Sequence, residues 1–252
     1  MTSLNTSALA DPRLGARRGP AERLGVGVVH DLVTAIVTGS VQPGELLPKE
    51  SELCDHFGVS RTVIRESMKR LEEKGLVQVV QGRGTEVTDP SEWNVLDRVV
   101  LSSMIENDDE LGILDELAVV RAQLESVMAA GVAREHDDDD LAALVEAHDA
   151  LVAVRDQPEA FAAADVEFHA RLMAISGNQL ARGIARTLTQ RARDYSRFYG
   201  APGPEAHTLT IDEHRGVLDA IAAGDAETAS REMSEHITRA WERRRIPARA
   251  AD

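Results

Sequence analysis

The chain has 252 residues, of which 43% are hydrophobic and 28% charged, and its formal net charge is −15. This length is sufficient for two domains that each bury a core. No apolar run approaches the ~20 residues that a membrane-spanning helix needs, and the N-terminus lacks the apolar segment of a signal peptide. The one cysteine, Cys54, cannot form an internal disulfide and is interpreted as a small buried apolar residue. The composition therefore predicts a cytoplasmic protein with no membrane partner and excludes a disulfide-bonded scaffold.

The acidic charge is distributed unevenly along the chain. Residues 90–252 contain 17 arginines against 31 acidic residues, whereas residues 22–89 contain 8 basic and 11 acidic ones. Within residues 61–83 the balance reverses, to 6 basic residues against 3 glutamates. Positive potential concentrated in one segment favours contact with nucleic-acid phosphates, although the whole chain is acidic.

The N-terminal part begins with a segment that has no periodic apolar pattern. Residues 1–20 are rich in Ala, Ser, Arg, Gly and Pro, which predicts a disordered arm. From Arg23 to Thr38 apolar residues recur at helical spacing until Gly39 ends the pattern, which predicts the first helix of a domain. Asp89-Pro90 marks the end of that domain, which we therefore predict to span residues 21–89.

The middle of this domain has the pattern of a helix-turn-helix. A short helix that carries Leu53 and Phe57 ends at Gly58, and Ser60 can cap a second helix by accepting a hydrogen bond from its free amides. In that second helix Val63, Ile64, Met68 and Leu71 recur at helical spacing, and the side left exposed is basic and polar. The residues predicted to protrude are Arg61, Thr62, Arg65, Lys69 and Arg70.

Two short β-rich runs follow the second helix. They extend from Leu76 to Val80 and from Thr85 to Val87, and the glycines of the Gln-Gly-Arg-Gly segment between them permit a tight turn. This pattern predicts a β-hairpin wing with Arg83 at its tip.

Three runs between Pro43 and Val87 carry a family resemblance. PGELLPKESEL, FGVSRTVIRESMKRLEEKGLV and QGRGTEV occur in this order and resemble the winged helix-turn-helix of the GntR superfamily of bacterial transcription regulators. Where many relatives carry Pro-x-Glu-Arg-Glu-Leu, this chain has PKESEL, so Lys49 is the candidate for the phosphate contact of that arginine. The resemblance implies a recognition helix in the major groove, with Arg61 and Arg65 on guanine edges, and a wing directed toward the minor groove. The residues implied to contact DNA are Lys49, Ser60, Arg61, Thr62, Arg65, Gln81, Gly82 and Arg83.

Beyond Pro90 the sequence becomes rich in Ala and Leu, and helical patterns are separated by short breakers. We predict an all-α domain over residues 90–247, with helices near 92–105, 111–135, 138–156, 158–175, 178–199, 208–223 and 225–245. The run from Asp137 to Asp140 could suggest a calcium site, but consecutive carboxylates at a helix start point around its axis and complement the helix dipole. The predicted fold is therefore mainly α, a winged helix-turn-helix followed by an antiparallel bundle of six to seven helices.

Four residues of this second domain could bind a metal ion. Asp165 and His169 are four apart, so a helix presents both on one face, while His214 and His236 lie on two further predicted helices. Three imidazoles and a carboxylate suit a borderline divalent ion, zinc or alternatively nickel. By spacing alone, a surface hydrogen bond between Asp165 and His169 is the simpler interpretation.

The C-terminal region also resembles the effector domain of the FadR-type branch of GntR regulators. Metal-binding members of that branch present Asp-x-x-x-His, a later Glu-His and a last-helix His in this order, and the resemblance implies metal at Asp165, His169, His214 and His236. It further implies that Arg121 points into the effector cavity toward a ligand carboxylate, with an ion pair to Glu125 as the alternative. Thr210, one turn before His214, could meet a ligand hydroxyl or cap a helix, and Asn178 is either a helix cap or a residue near the cavity.

Together these features predict a cytoplasmic, homodimeric transcription regulator that binds a short inverted repeat of double-stranded DNA and responds to a small carboxylate. The segment from Trp93 to Asp97 resembles members that govern sugar-acid catabolism, which favours an aldonate effector and a repressor. A metal-free regulator responsive to acyl-CoA or another organic acid is the alternative within the family. A metal-dependent bundle enzyme is disfavoured, because the chain has no Glu-x-x-His pairs for a di-metal centre and no general base in a recognisable motif.

Overall fold

The computed structural model describes residues 24–195 and 204–245, which form two compact units divided between Asn107 and Asp108. The chain is mainly helical, as predicted, and its one described sheet has two strands. None of the described helices combines the length and apolarity required to cross a membrane.

The first unit contains four helices, a hairpin and one 3-10 turn among its described residues. They are α1 (Leu24–Val37), α2 (Glu50–Phe57), α3 (Arg61–Glu73), β1 (Val77–Val80), β2 (Gly84–Val87), the 3-10 turn Pro90–Glu92 and α4 (Arg98–Glu106). Leu32, Leu53, Ile64 and Leu71 are fully buried where the helices meet, so they form the centre of this unit's core. The predicted winged helix-turn-helix is confirmed. Cys54 is half-buried and packs against this core.

The turn between α2 and α3 has the predicted geometry. Gly58 adopts a left-handed conformation with φ of 67°, and its N–H donates to the Cys54 carbonyl, which ends α2. Ser60 then caps α3, since its Oγ accepts a hydrogen bond from the N–H of Val63 at 3.4 Å. The glycine and the hydroxyl thus fix the angle at which α3 leaves the turn.

The wing is an antiparallel hairpin in which Val77 pairs with Val87 and Val80 with Gly84. Gly82 and Gly84 both have positive φ, 77° and 126°, so the three-residue loop between the strands depends on glycine at these positions. An isolated bridge from Leu46 to Glu86 attaches the segment before α2 to the outer strand.

The boundary between the units differs from the predicted one at Asp89. The predicted helix at 92–105 begins only at Arg98, because Asp97 caps it by accepting hydrogen bonds from the N–H groups of Val99 and Val100. The same carboxylate accepts a hydrogen bond from Lys74 Nζ at 2.5 Å, and Val100 is buried in the first unit's core. α4 therefore belongs with the DNA-binding unit, and the units divide after Asn107.

The second unit contains six helices among its described residues, the lower of the two predicted numbers. They are α5 (Gly112–Glu135), α6 (Asp138–Ala153), α7 (Pro158–Ile175), α8 (Gln179–Arg193), α9 (Pro204–Ala222) and α10 (Ala226–Arg244). α8 ends at Arg193, before the predicted residue 199, and residues 196–199 of that prediction lie outside the described part of the chain. α9 begins at Pro204, earlier than predicted. α5 is central because it packs against α7, α8, α9 and α10.

Local capping explains where several of these helices begin. Asp137 accepts a hydrogen bond from the N–H of Asp140, and the Asp140 carboxylate accepts one from the N–H of Asp137. The acidic run therefore opens and caps α6, as predicted. Asn178 caps α8 and Asp225 caps α10 in the same manner, through the N–H groups of Ala181 and Thr228.

Candidate metal centre and nucleic-acid interface

The first helix turn of α3 forms the predicted DNA-reading surface. Arg61, Thr62 and Arg65 are all exposed, whereas Ile64 and Ser67 on the opposite face are buried. Lys49 is exposed immediately before α2, and its backbone N–H donates a hydrogen bond to the Glu52 carboxylate. At the wing, Gln81, Gly82 and Arg83 are exposed. Every residue predicted to contact DNA is therefore accessible.

Two of the arginines predicted to contact DNA form ion pairs with carboxylates of the protein itself. Arg65 Nε donates to Glu50 Oε2 at 3.0 Å, and Arg83 lies 3.2 Å from Glu86. The Arg65 and Glu50 side chains remain 69% and 44% exposed, so this ion pair contributes little to stability and can open when a phosphate or base competes for the arginine.

Lys74 does not contribute to this surface, although it was counted among the basic residues of the segment. Its ammonium is turned toward Asp97 at the start of α4, and its side chain is only 15% exposed. Asp97 itself has a lowered pKa: burial opposes its ionisation, but the hydrogen bonds from Lys74 and from two backbone amides outweigh burial. Lys74 is therefore structural.

The four residues predicted to bind metal converge inside the second unit. α7 supplies Asp165 and His169, α9 supplies His214 and α10 supplies His236, and one ligand atom from each lies within 4.8 Å of the others. The Nε2 atoms of His214 and His236 are 3.0 Å apart, and those of His236 and His169 are 3.2 Å apart. Asp165 Oδ1 lies 3.6 Å from His214 Nε2 and 3.9 Å from His169 Nε2.

Two glutamates define the tautomers of two of these histidines. Glu125 Oε2 lies 2.6 Å from His169 Nδ1, and Glu213 Oε2 lies 2.9 Å from His236 Nδ1. A carboxylate can only accept a hydrogen bond, so each Nδ1 must carry the proton and donate it. When the two rings are neutral, each Nε2 atom therefore carries a lone pair and no proton, and the two Nε2 atoms lie 3.2 Å apart. A cation between them would stabilise this arrangement.

The spacing of the ligand atoms agrees with such a cation. An ion with bonds of ~2.1 Å separates neighbouring ligand atoms by about 3.0 Å at right angles and about 3.4 Å in a tetrahedron. Four of the distances between ligand atoms run from 3.0 to 3.9 Å, close to these values, and all four ligand atoms lie within 4.8 Å of one another. The donor set and the spacing therefore fit a divalent metal.

The two glutamates are kept ionised by arginines. Glu125 is buried, which opposes ionisation, but the charge of Arg121 and the hydrogen bonds from His169 and Arg121 outweigh burial and hold its pKa far below its usual range. Burial also opposes the ionisation of Glu213, yet the hydrogen bonds from Arg243 and His236 lower its pKa to about 2. Each arginine thus keeps a carboxylate ionised, and that carboxylate orients an imidazole.

His214 has a different environment from the other two imidazoles. Its ring stacks on Phe168 with centroids 4.1 Å apart and an interplanar angle of 14°. Its Nδ1 is buried and has no hydrogen-bond partner among the described residues. Burial, followed by the charges of His236 and His169, lowers the pKa of His214 well below its ordinary value. His214 therefore stays neutral, as a metal ligand must.

The three predicted effector residues have different positions. Arg121 is buried, and its Nε donates to Glu125 Oε1 at 2.8 Å, so the ion pair named as the alternative is present. Thr210 lies inside α9, which excludes the capping role, and its Oγ1 is 3.3 Å from an Arg243 nitrogen. Asn178 is exposed and caps α8.

Sequence reasoning missed Glu213, Arg243 and Phe168, and it considered Glu125 only as a partner of Arg121. Arg243 forms two hydrogen bonds to Glu213, at 2.8 and 2.7 Å, although its sequence context suggests only a helix-end charge. The one available signal was that Glu213 directly precedes His214. His148 and His207 lie outside the cluster, and each has a ring nitrogen near a backbone carbonyl, at 3.2 and 2.8 Å.

Comparison with known proteins agrees with both units. The family model "Bacterial regulatory proteins, gntR family" matches residues 24–87, and the FCD domain model matches residues 116–239. The galactonate operon transcriptional repressor of Escherichia coli is 33% identical over 80% of this chain and 88% of its own length. The fatty acid metabolism regulator protein of Klebsiella pneumoniae is 28% identical over 77% of this chain and 79% of its own.

A solved structure shows the same fold. It is that of Lar, which controls the expression of the Listeria monocytogenes agr system, with a TM-score of 0.51 and 18% identity over 89% of this chain and 98% of the other. The winged unit, the helical unit and the two family models all support the resemblance drawn from the motifs. The chain therefore belongs to the gntR family of bacterial regulatory proteins and is a DNA-binding transcription regulator with a ligand-responsive FCD domain, not an enzyme.

Proposed function

We propose that this regulator is a repressor whose FCD domain holds a divalent metal ion at Asp165, His169, His214 and His236 and responds to a small carboxylate. One observation carries the proposal: three buried imidazoles and a carboxylate, supplied by three helices, direct their ligand atoms to one point. The facing Nε2 lone pairs of His169 and His236, 3.2 Å apart, would be unfavourable in a buried site, and a cation between them would relieve this cost.

Zinc is the metal we propose, with nickel as the alternative. Three imidazoles and one carboxylate are donors that both borderline ions accept. When bound, such an ion would supply open coordination positions to which a carboxylate can attach. Among the protein residues, Phe168 stacks on the ring of His214, and Glu125 and Glu213 hold His169 and His236 in place.

The proposed effector is an aldonate or a related sugar acid. Two arginines lie near the cluster: Arg121 donates to Glu125, and Arg243 donates to Glu213. A guanidinium has five N–H donors, so each arginine has donors left that can bind an anionic ligand. The similarity to a galactonate operon repressor supports this class of ligand. Thr210, beside Arg243, offers a hydroxyl to a hydroxylated ligand.

The proposed DNA target is a short inverted repeat bound by a homodimer in the cytoplasm. One winged unit reads few base pairs, so two must act together for sufficient specificity. Arg61 and Arg65 would contact base edges, and the phosphates would be bound by Lys49, Ser60 and Thr62. The minor groove would be contacted by the wing residues Gln81, Gly82 and Arg83.

Elemental analysis of the full chain, purified without chelators, tests the metal. We expect about one zinc or nickel ion per chain in the wild type and in His136→Ala, which removes a histidine of the same unit outside the cluster. We expect His214→Ala to lose the metal and the response to aldonates while it still binds DNA. A wild-type protein without metal that still responds to an organic acid or an acyl-CoA would replace this proposal with the metal-free alternative.

A further inference from the structure

An exposed apolar stripe runs along α5. Val119 and Val127 are 62% and 60% exposed and Val120 is 42% exposed, although all three lie on the central helix of the unit. Their spacing along the helix, together with that of Gln123, places them on one face. Exposed β-branched residues aligned in this way are typical of a contact surface.

A groove lies beside this stripe, between α5 and α10. Its volume is 810 Å³, and its floor is formed by small side chains that allow another helix to approach closely. These are Ser126, Ala130, Ala226, Ser230 and Ser234.

The charges along the groove are balanced and separated. α5 and α10 run antiparallel, since Trp241 near the end of α10 donates to Asp115 near the start of α5 at 2.7 Å. Arg134 and Glu227 therefore lie at one end of the groove, Arg231 near its middle and Glu235 toward the other end. Residues 90–252 carry 17 arginines against 31 acidic residues, so two copies repel each other over most of their surface but not here.

We propose that the stripe and the groove form the contact between two copies of this chain. A two-fold axis near Val127 and Arg231 would bring the Arg134 end of one copy against the Glu235 end of the other, twice per dimer. The valines of each copy would then be covered by the groove of the other. This assigns a surface to the homodimer of the proposed function and rests on that part of it.

The contact would also be coupled to the metal centre. Arg121 and Glu125 lie on the buried face of α5, opposite Val119 and Val127, and on α10 the buried His236 directly follows Glu235 in the chain. A shift of either helix when the centre is loaded therefore changes the contact between the copies.

The first test is the mass of the full chain by light scattering over a range of concentrations. We expect a dimer for the wild type and for Leu180→Arg, a control at a 75% exposed position on α8. Val127→Arg should raise the dimer dissociation constant by at least ~100-fold, because the axis places both substituted arginines in one contact. Circular dichroism and metal content should match the wild type.

Charge reversal provides a second test. Arg134→Glu and Glu235→Arg should each raise the dissociation constant by roughly 10-fold, and the double variant should restore it to within about threefold of the wild type. A dimer of unchanged affinity in Val127→Arg would overturn this surface and leave the homodimer intact. A monomeric wild type at micromolar concentration would overturn both.

Discussion

The two units differ in how far their arginine–glutamate pairs are exposed to solvent. In the DNA-binding unit the Arg65–Glu50 pair is open to solvent, with side chains 69% and 44% exposed. In the helical unit the Arg121–Glu125 pair is enclosed, with side chains 9% and 1% exposed. An exposed pair is cheap to break and can exchange partners with DNA, whereas loss of one member of a buried pair leaves an uncompensated charge. The proposed DNA contacts would therefore rely on replaceable ion pairs, and the candidate metal site on fixed ones.

The largest effect is expected from Glu125→Ala. This change leaves Arg121 buried without its carboxylate and removes the acceptor of His169. The free energy of unfolding of the metal-free protein should fall by about 3–5 kcal/mol in urea titrations. Glu167→Ala, which removes the carboxylate paired with Arg171 at an exposed site, is the control and should cost less than about 1 kcal/mol. Equal costs would remove the distinction between the two kinds of pair.

Acid should destabilise the helical unit through its buried histidines. Burial lowers the pKa of His214 and of His236 below the ordinary value of 6.5. The unfolded chain then binds protons that the folded chain excludes, so stability is full above pH 6.5 and is lost as the pH falls below it. Both groups act in the same direction, so the free energy of unfolding should fall steadily as the pH is lowered from 7.5 to 5.

Urea titrations of chelator-treated protein at several pH values measure this loss. His214→Ala should show a weaker pH dependence than the wild type, because one of the two groups is gone. A pH dependence that His214→Ala leaves unaltered would place the responsible groups elsewhere.

The DNA-reading surface should respond more modestly. Arg65→Ala should cost ~1–3 kcal/mol of binding free energy to the operator and reduce the preference over a scrambled duplex. Lys49→Ala should weaken both duplexes alike and flatten the dependence of affinity on salt. Fluorescence anisotropy at several salt concentrations separates the two outcomes, and an unchanged specificity ratio in Arg65→Ala would contradict the proposed docking.

The smallest expected effect tests the exposed pair directly. Glu50→Gln releases Arg65 and removes a negative charge beside the DNA, so affinity should rise two- to fivefold, or about 0.4–1 kcal/mol. The gain should shrink at high salt, since the pair is accessible to ions. Weaker binding by Glu50→Gln would show that Glu50 positions Arg65 for contact instead of competing for it.

The DNA-binding unit could be predicted largely from sequence because its determinants are local. Gly58, Ser60 and the glycines of the wing act on their immediate neighbours, and the structure confirms each. The unit boundary could not be placed, because the contact of Lys74 with Asp97 and the burial of Val100 are tertiary effects. A helical pattern alone does not show which core the helix joins.

The candidate metal site could be predicted from sequence only in part. Spacing placed Asp165 beside His169, but the convergence of His214 and His236 on them was implied by the family resemblance alone. Glu125 acts on a histidine 44 residues away, and no periodicity within one helix indicates such a partner. The role of Arg243 was obscured for the same reason, since an arginine at a helix end has a sufficient local explanation.

X-ray absorption at the metal edge, on full-length protein purified without chelators, tests the central claim most directly. The account predicts zinc or nickel with about three imidazole nitrogens and additional oxygen ligands near 2.0–2.2 Å, and a loss of imidazole scattering in His214→Ala. A metal-free protein, or an ion whose coordination contains no imidazole, would contradict the account.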